Sequence, residues 1–321
     1  MTGKKTPDDQ MSGSILARFS PDFPYGQTIN DALDRCIRAR KGENVRNDFQ
    51  SSIMRMGDVL ENPVLVECCT RLNLSNARLD IEKPLTHPSL RMNGSPDGVA
   101  TAGVDKPIVV GTDAEKGIYT LNDTYLYLQG DGILECKVTR DWADDVLPNW
   151  RGKWQAMAYA EMLGLSWCAV VVLYQSTDLR IFVFERDLEW VKWFEKTVID
   201  FERRIVEEDY YNPANSVDCN TIWPTIEYDE LIELDDELIL FFEEIKAAKD
   251  VIKEKKQTID DCETVIKSHM KENKHATCGN FRATWGTRTY KAKPERIVPA
   301  KESYTIRSKV VSIKEFDNES V

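Results

Sequence analysis

Two nearly unbroken apolar runs, WCAVVVLYQ (167–175) and LRIFVFERD (179–187), limit what this chain can become more than any other feature. Each is too short for an ordinary helix and rich in β-branched and aromatic residues, so both read as strands, joined by a turn around Ser176–Asp178. They are preceded by PNWRGKWQAMAYAEMLGL, whose apolar positions 150, 154, 157, 158, 162 and 163 fall at helical spacing. A long helix follows from Leu188 to about Glu208. Adding the strand expected at 132–138, the order strand, helix, strands, helix around a buried sheet predicts an α/β core.

Upstream, residues 1–10 are polar and expected to be disordered. SGSILARFS predicts a short helix capped by Ser12 or Ser14. QTINDALDRCIRARKG predicts an amphipathic helix ending in Arg38, Arg40 and Lys41. DFQSSIMRMGDVLENPVLVECCTRLN is helical in pattern, with Pro63 marking a kink or a fresh start. Two or three short strands are expected across 78–100, then a Gly/Asp-rich excursion over 101–130. The composition shifts at 229–272 to Glu, Lys, Ile and Leu at helical spacing, which suggests two antiparallel helices. HATCGNFRATWGTRTYKAKP resembles a β-hairpin. From Arg282 onward there are nine basic residues against five acidic ones, and the end is expected to be loosely held. The expected organisation is a disordered 1–10, a core over 11–226, a helical hairpin plus basic β-hairpin over 227–297, and a flexible 298–321.

Composition narrows the function classes. No run approaches the ~18 apolar residues of a membrane span, and MTGKKTPDDQ carries no apolar secretion signal, so a cytoplasmic location is expected. The eight cysteines form no CxxC pair and read as reduced core residues rather than disulfides, zinc or iron–sulfur ligands. With 54 acidic against 42 basic residues, the net charge of −12 disfavours a general polyanion binder. A local basic channel is still compatible with it.

The chemistry concentrates in two short segments, RMNGSPDGVA (91–100) and DGILECKVT (131–139). Side chains alternate faces along a strand, so Glu135 and Lys137 project to one side and Cys136 to the other. Glu-x-Lys also occurs at 244/246, 254/256 and 272/274, where it reads as a solvated helical face. At 135/137 it is embedded in GILECKV, and a structural ion pair competes with a site for a divalent metal. SPDG alone is a turn. Asp97 and Glu135 together would offer hard oxygen ligands suited to Mg²⁺, or Mn²⁺ in its place, with a backbone carbonyl near Cys136 as a further donor. Lys137 would then orient an attacking water or offset phosphate charge, the parts that metal-assisted phosphodiester hydrolysis needs.

Asp97 with Glu135-Cys136-Lys137 resembles the PD-(D/E)XK nuclease signature, and residues 11–210 resemble the lambda-exonuclease branch, the YqaJ-type viral recombinases of bacteriophages. GDVLENP, HPSLRMNGSPDG, NWRGKWQAMAYAEMLG and CAVVVLY…LRIFVFERD follow in the family's order. The resemblance implies a restriction-endonuclease-like fold, a central mixed sheet flanked by helices, with Glu61 an accessory carboxylate and Gln155 a site glutamine. It implies that SGSILARFS meets the DNA end, with Ser14 and Arg18 at a terminal phosphate, and Ser95 beside the catalytic Asp97 among the DNA-contacting residues. It further implies 5′-to-3′ digestion of one strand of linear duplex DNA, tails passed to a single-strand annealing protein for recombination, and a ring-shaped homotrimer. The insertion between Asp97 and Glu135 and the 227–297 module depart from the lambda enzyme.

Other candidates carry bland alternatives. Arg38, Arg40 and Lys41 would meet phosphates or simply be a solvated helix terminus. Trp142, Trp150 and Trp154 would stack on bases, yet at helical spacing the last two suit a core. His87 beside Pro88 reads as structural. The competing functions are an inactive DNA-end-binding or recombination-assembly protein of the same fold, and a sequence-specific endonuclease, for which no recognition domain is visible.

Overall fold

The computed structural model describes residues 6–24, 28–45, 51–79, 81, 84–121, 124–226 and 228–287. The expectations for residues 1–5 and for 288–321, most of the basic end included, lie outside them. The chain divides into two compact units, Met1–Ile222 and Trp223–Val321.

In the first unit, β1 (Met11–Ser12) leads into α1 (Gly13–Leu16), with Ser12 at its N-cap, and then a single 3₁₀ turn at Ala17–Phe19. Helix α2 (Ile29–Arg40) starts at a capping box: Thr28 accepts from the Asp31 amide and Asp31 accepts from the Thr28 amide. Helix α3 (Ser52–Arg71) runs through Pro63 uninterrupted. The carbonyl that Pro63 leaves without a donor belongs to Val59, an exposed residue, so water can satisfy it and no kink is forced.

The strands β2 (Ser75–Arg78), β3 (Leu85–Thr86), β4 (Met92–Gly94), β5 (Gly98–Ala102), β6 (Ile108–Gly111), β7 (Ile118–Thr120), β8 (Tyr125–Leu128) and β9 (Gly130–Thr139) follow. Next come α4 (Trp154–Leu163), β10 (Trp167–Tyr174), β11 (Asp178–Glu185), α5 (Leu188–Glu207) and α6 (Ser216–Ile222). Among the described residues the central sheet has six strands in the order β2-β5-β9-β10-β11-β7. It is mixed: β9–β10 and β11–β7 are parallel, while β2–β5, β5–β9 and β10–β11 are antiparallel.

Both faces of this sheet are covered, which is why β10 is apolar throughout rather than alternating. One layer holds Ile133, Val170, Val172, Tyr174 and Phe182 against α4 and α5. The other holds Leu134, Cys136, Ala169, Val171 and Ile181 against Val64, Leu65 and Cys68 of α3. Helix α5 buries Phe194, Val198, Phe201 and Ile205, a stripe at steps of four, three and four that turns one helical face to the sheet.

Two expectations are corrected, and one segment left without assigned elements from the sequence has a definite structure. The 101–130 excursion is structured: β6 and β8 pair, and β7 adds the edge strand beside β11. Its Val110, Ile118, Leu126 and Leu128 enter the core, so apolar burial holds it in place. The helix predicted from Pro148 begins only at Trp154, because Gly152 takes φ +85° and breaks the helical path in a wide turn at Asn149–Lys153. In the second unit, the two antiparallel helices expected over 229–272 are one helix, α7 (Ile239–Met270), of 32 residues. Neither Gly nor Pro occurs within it, so nothing terminates it midway. β12 (His275–Cys278) and β13 (Phe281–Thr284) then pair antiparallel.

Candidate active site

β5 and β9 are antiparallel neighbours, with Gly98 opposite Leu134, so the residue just before β5 falls beside Glu135. That residue is Asp97. Its Oδ2 accepts a hydrogen bond of 2.8 Å from the Cys136 amide. The turn that carries Asp97 is thereby tied to the strand that carries Glu135 and Lys137. Glu135 is 1% exposed, and its Oε1 accepts from Lys137 Nζ at 2.5 Å. Its other oxygen, Oε2, is buried and meets no donor among the described residues. A buried carboxylate oxygen without a partner is costly.

The electrostatics follow from this crowding. Burial, reinforced by the charge of Asp97 and more weakly by that of Glu61, pushes the Glu135 carboxyl up to about 8, even against Lys137. For Lys137, burial opposes the ammonium, but the charges of Glu135 and Asp97 outweigh it and the group stays protonated above its ordinary value. The charges of Asp97 and Glu61 both act on Glu135, and a cation beside Glu135 and Asp97 would relieve that repulsion. The Cys136 thiol points into the α3 layer, and burial raises it, so it stays protonated and unsuited as a ligand. Among the described residues, no group of three or more His, Cys, Asp or Glu side chains is arranged to hold a metal ion. Asp97 and Glu135 are two hard oxygen donors, the number Mg²⁺ commonly takes from protein before water and phosphate complete its shell.

The remaining candidates separate. Glu61 lies half-buried on α3, where its charge acts on Glu135 and Cys136. Gln155 donates to the Tyr159 hydroxyl at 3.0 Å. Tyr159 is buried, and its phenol is raised by burial and by the charge of Glu135. It fits only because its neighbours are Gly13 and Gly94, where a Cβ would strike its ring. That contact brings the α1 segment and the strand before Asp97 onto α4. Ser95 Oγ, in the same stretch, is buried without a partner among the described residues. Ser14 is exposed and shares a hydrogen bond with Ser12. Arg18 is half-buried and donates to the Thr28 carbonyl at 3.0 Å, and burial lowers its pKa. Arg38 is exposed and held by Glu43 at 2.7 Å and Asp34 at 3.7 Å, an ion-paired helix end. Trp154 packs on Trp193 within the core, whereas Trp142 is exposed. His87 is structural: its Nδ1 accepts from the Ser89 and Leu90 amides.

Sequence reasoning missed Arg151, Gly152 and Tyr159. Gly152 lies directly over the site: a Cβ there would come 3.1 Å from Lys137 Cε and 3.3 Å from Glu135 Cγ. The Arg-Gly pair inside an otherwise helical pattern was the available signal.

No family model matches the chain, and no curated protein matches its sequence. Among solved structures, it is similar to an alkaline exonuclease (LHK-Exo) from Laribacter hongkongensis, at 16% identity over 63% of this chain and 90% of that one, with a TM-score of 0.44. It is also similar to a phage-related exonuclease from Haemophilus somnus 129PT, at 10% identity over 63% of this chain and 96% of that one, with a TM-score of 0.38.

Proposed function

We propose that this chain is a metal-dependent DNA exonuclease with a PD-(D/E)XK core, digesting one strand of linear duplex DNA from an end. The observation that carries the reading is the Glu135 carboxylate: buried beside Asp97, with one oxygen on Lys137 and the other without a donor among the described residues. A purely structural ion pair would not keep a third and a fourth charge, Asp97 and Glu61, within reach of the same buried carboxylate.

The donor chemistry fits Mg²⁺, with Mn²⁺ as substitute. Glu135 Oε2 and Asp97 would hold it, with the Cys136 carbonyl as a further oxygen and Glu61 as an accessory carboxylate. When bound, the ion supplies a lowered pKa for water and neutralisation of charge on the phosphate. The chain's own residues do the rest. Lys137, kept protonated by its carboxylate neighbours, offers N–H donors to the attacking water or to a phosphate oxygen. The hydrogen bond from the Cys136 amide fixes the Asp97 carboxylate before substrate arrives. Gln155 donates to the Tyr159 hydroxyl, whose phenol feels the Glu135 charge.

A 5′-to-3′ polarity, single-stranded tails made for an annealing protein in phage-type recombination, a bacterial cytoplasmic setting and a ring-shaped trimer are parts of the proposal that rest on resemblance to the lambda-exonuclease group. The test uses linear and closed circular duplex DNA labelled at the 5′ or the 3′ end, with Mg²⁺. Release of nucleotides from the 5′-labelled linear form alone supports a 5′-to-3′ exonuclease. Binding to ends without release would leave an end-binding protein, and cleavage of circles at fixed sites an endonuclease.

A further inference from the structure

Arg151 is 9% exposed, a cation at the edge of the core. Its guanidinium carbon lies 4.7 Å from the Trp150 ring centroid and 5.5 Å from that of Tyr174. Aromatic faces on a guanidinium leave its N–H edge as the direction for binding, and that fork suits carboxylate and phosphate oxygens. Only Nη2 has a partner among the described residues, Oδ2 of Asp141 at 2.5 Å. Among the described residues, Nε and Nη1 are buried without an acceptor, and the neighbouring Tyr174 hydroxyl has no partner either. Three buried polar atoms, two of them on the guanidinium, are left over where one carboxylate takes a single N–H. The internal partner is the mismatch: the Asp141 side chain is 59% exposed, on the loop after β9.

The position also matters. Tyr174 is opposite Thr139 in the parallel register of β9 and β10, one same-face step beyond Lys137. Arg151 directly precedes Gly152, whose backbone lies over Lys137 and Glu135. The fork therefore belongs to the same end of the sheet as the candidate active site, yet no part of the proposed hydrolysis uses it.

We propose that Arg151, gripped by Trp150 and Tyr174, is a phosphate-binding site that positions the nucleic-acid strand beside Glu135 and Lys137, and that Asp141 is the internal anion a backbone phosphate displaces. A phosphate presents more acceptor oxygens than Asp141 uses, so it can engage N–H groups that are otherwise buried and unpaired. The Tyr174 hydroxyl adds a donor. The inference rests on the nuclease reading for its ligand, although the anion site itself can be tested separately.

The test compares the full-length wild type with Arg151→Met, Tyr174→Phe and Asp141→Asn in metal-free buffer. The first readout is the melting shift produced by inorganic phosphate. The second is affinity for a short linear duplex as a function of salt. Arg151→Met should abolish the phosphate shift, weaken duplex binding by about tenfold or more, and flatten the log–log salt slope by about 0.9, one phosphate contact. Asp141→Asn should act in the opposite direction and raise phosphate affinity, which a merely structural ion pair would not do. Tyr174→Phe should give a smaller loss than Arg151→Met. If Arg151→Met keeps the wild-type phosphate shift and salt slope, or if Asp141→Asn only destabilises the fold, the proposal is overturned and Arg151 is a structural cation. If the phosphate responses follow the expected signs but linear DNA is never digested, the anion site stands and the nuclease reading falls.

Discussion

Replacing Gly152 by alanine separates the backbone's role at this site from its role in folding. The residue holds φ +85°, where an L side chain costs about 1–2 kcal/mol. A Cβ would also approach Lys137 Cε at 3.1 Å and Val170 Cγ1 at 3.4 Å, so the lysine must give by a few tenths of an ångström. Together these predict a loss of about 2 kcal/mol, or roughly 4–8 °C in Tm for a unit of this size. Displacing Lys137 from Glu135 should cost more in rate than in stability, about tenfold or more, because small misplacements of reacting groups are strongly amplified. The control is Gly164→Ala: φ is +66°, but nothing lies within 4 Å of the added Cβ. Differential scanning fluorimetry and nucleotide release from linear duplex should show both variants destabilised, with the rate lost only in Gly152→Ala. Equal rates in the two variants would refute the placement of Gly152 over the site.

Other expectations follow from single contacts. Burial lowers the His87 pKa, with Glu161 and Glu195 pulling the other way. The unfolded chain therefore takes the proton first, and stability is full above about pH 6.5 and falls as pH drops below it. Protonation also breaks the two amide bonds that Nδ1 accepts, together worth about 1–2 kcal/mol. Melting between about pH 5 and 7.5 should be flatter in His87→Phe than in wild type, and an unchanged slope would rule this out. Gly94→Ala drives a methyl into the Tyr159 ring and should cost about 1–3 kcal/mol in urea unfolding, most of it recovered in Gly94→Ala/Tyr159→Leu. If the double variant is no better than the single one, the close approach is not the cause.

The core was legible where one period dominated. β10 and β11 stand out as apolar runs, and α5 ends within a residue of its expected limit because its stripe and the Asp187 cap are both local signals. The Glu135/Lys137 face was legible from the two-residue period alone. What escaped depends on distant partners. β7 is three residues long, and only its pairing with β11, some sixty residues away, makes it a strand. Arg151 and Gly152 kept the apolar spacing of the following helix, so the break at φ +85° was hidden inside a helical pattern. Tyr159 went unremarked because its fit depends on two glycines on other elements. The tie between Asp97 and the Cys136 amide exists only because β5 and β9 are neighbours with that register.

The most direct measurement is Mn²⁺ binding, followed by loss of the free-ion electron paramagnetic resonance signal, in the full-length protein and its Asp97→Asn, Glu135→Gln and Lys137→Met variants. The account predicts that wild type and Lys137→Met retain the ion, that both carboxylate variants lose it, and that only wild type releases nucleotides from linear duplex DNA. Undiminished Mn²⁺ binding in both carboxylate variants would contradict it.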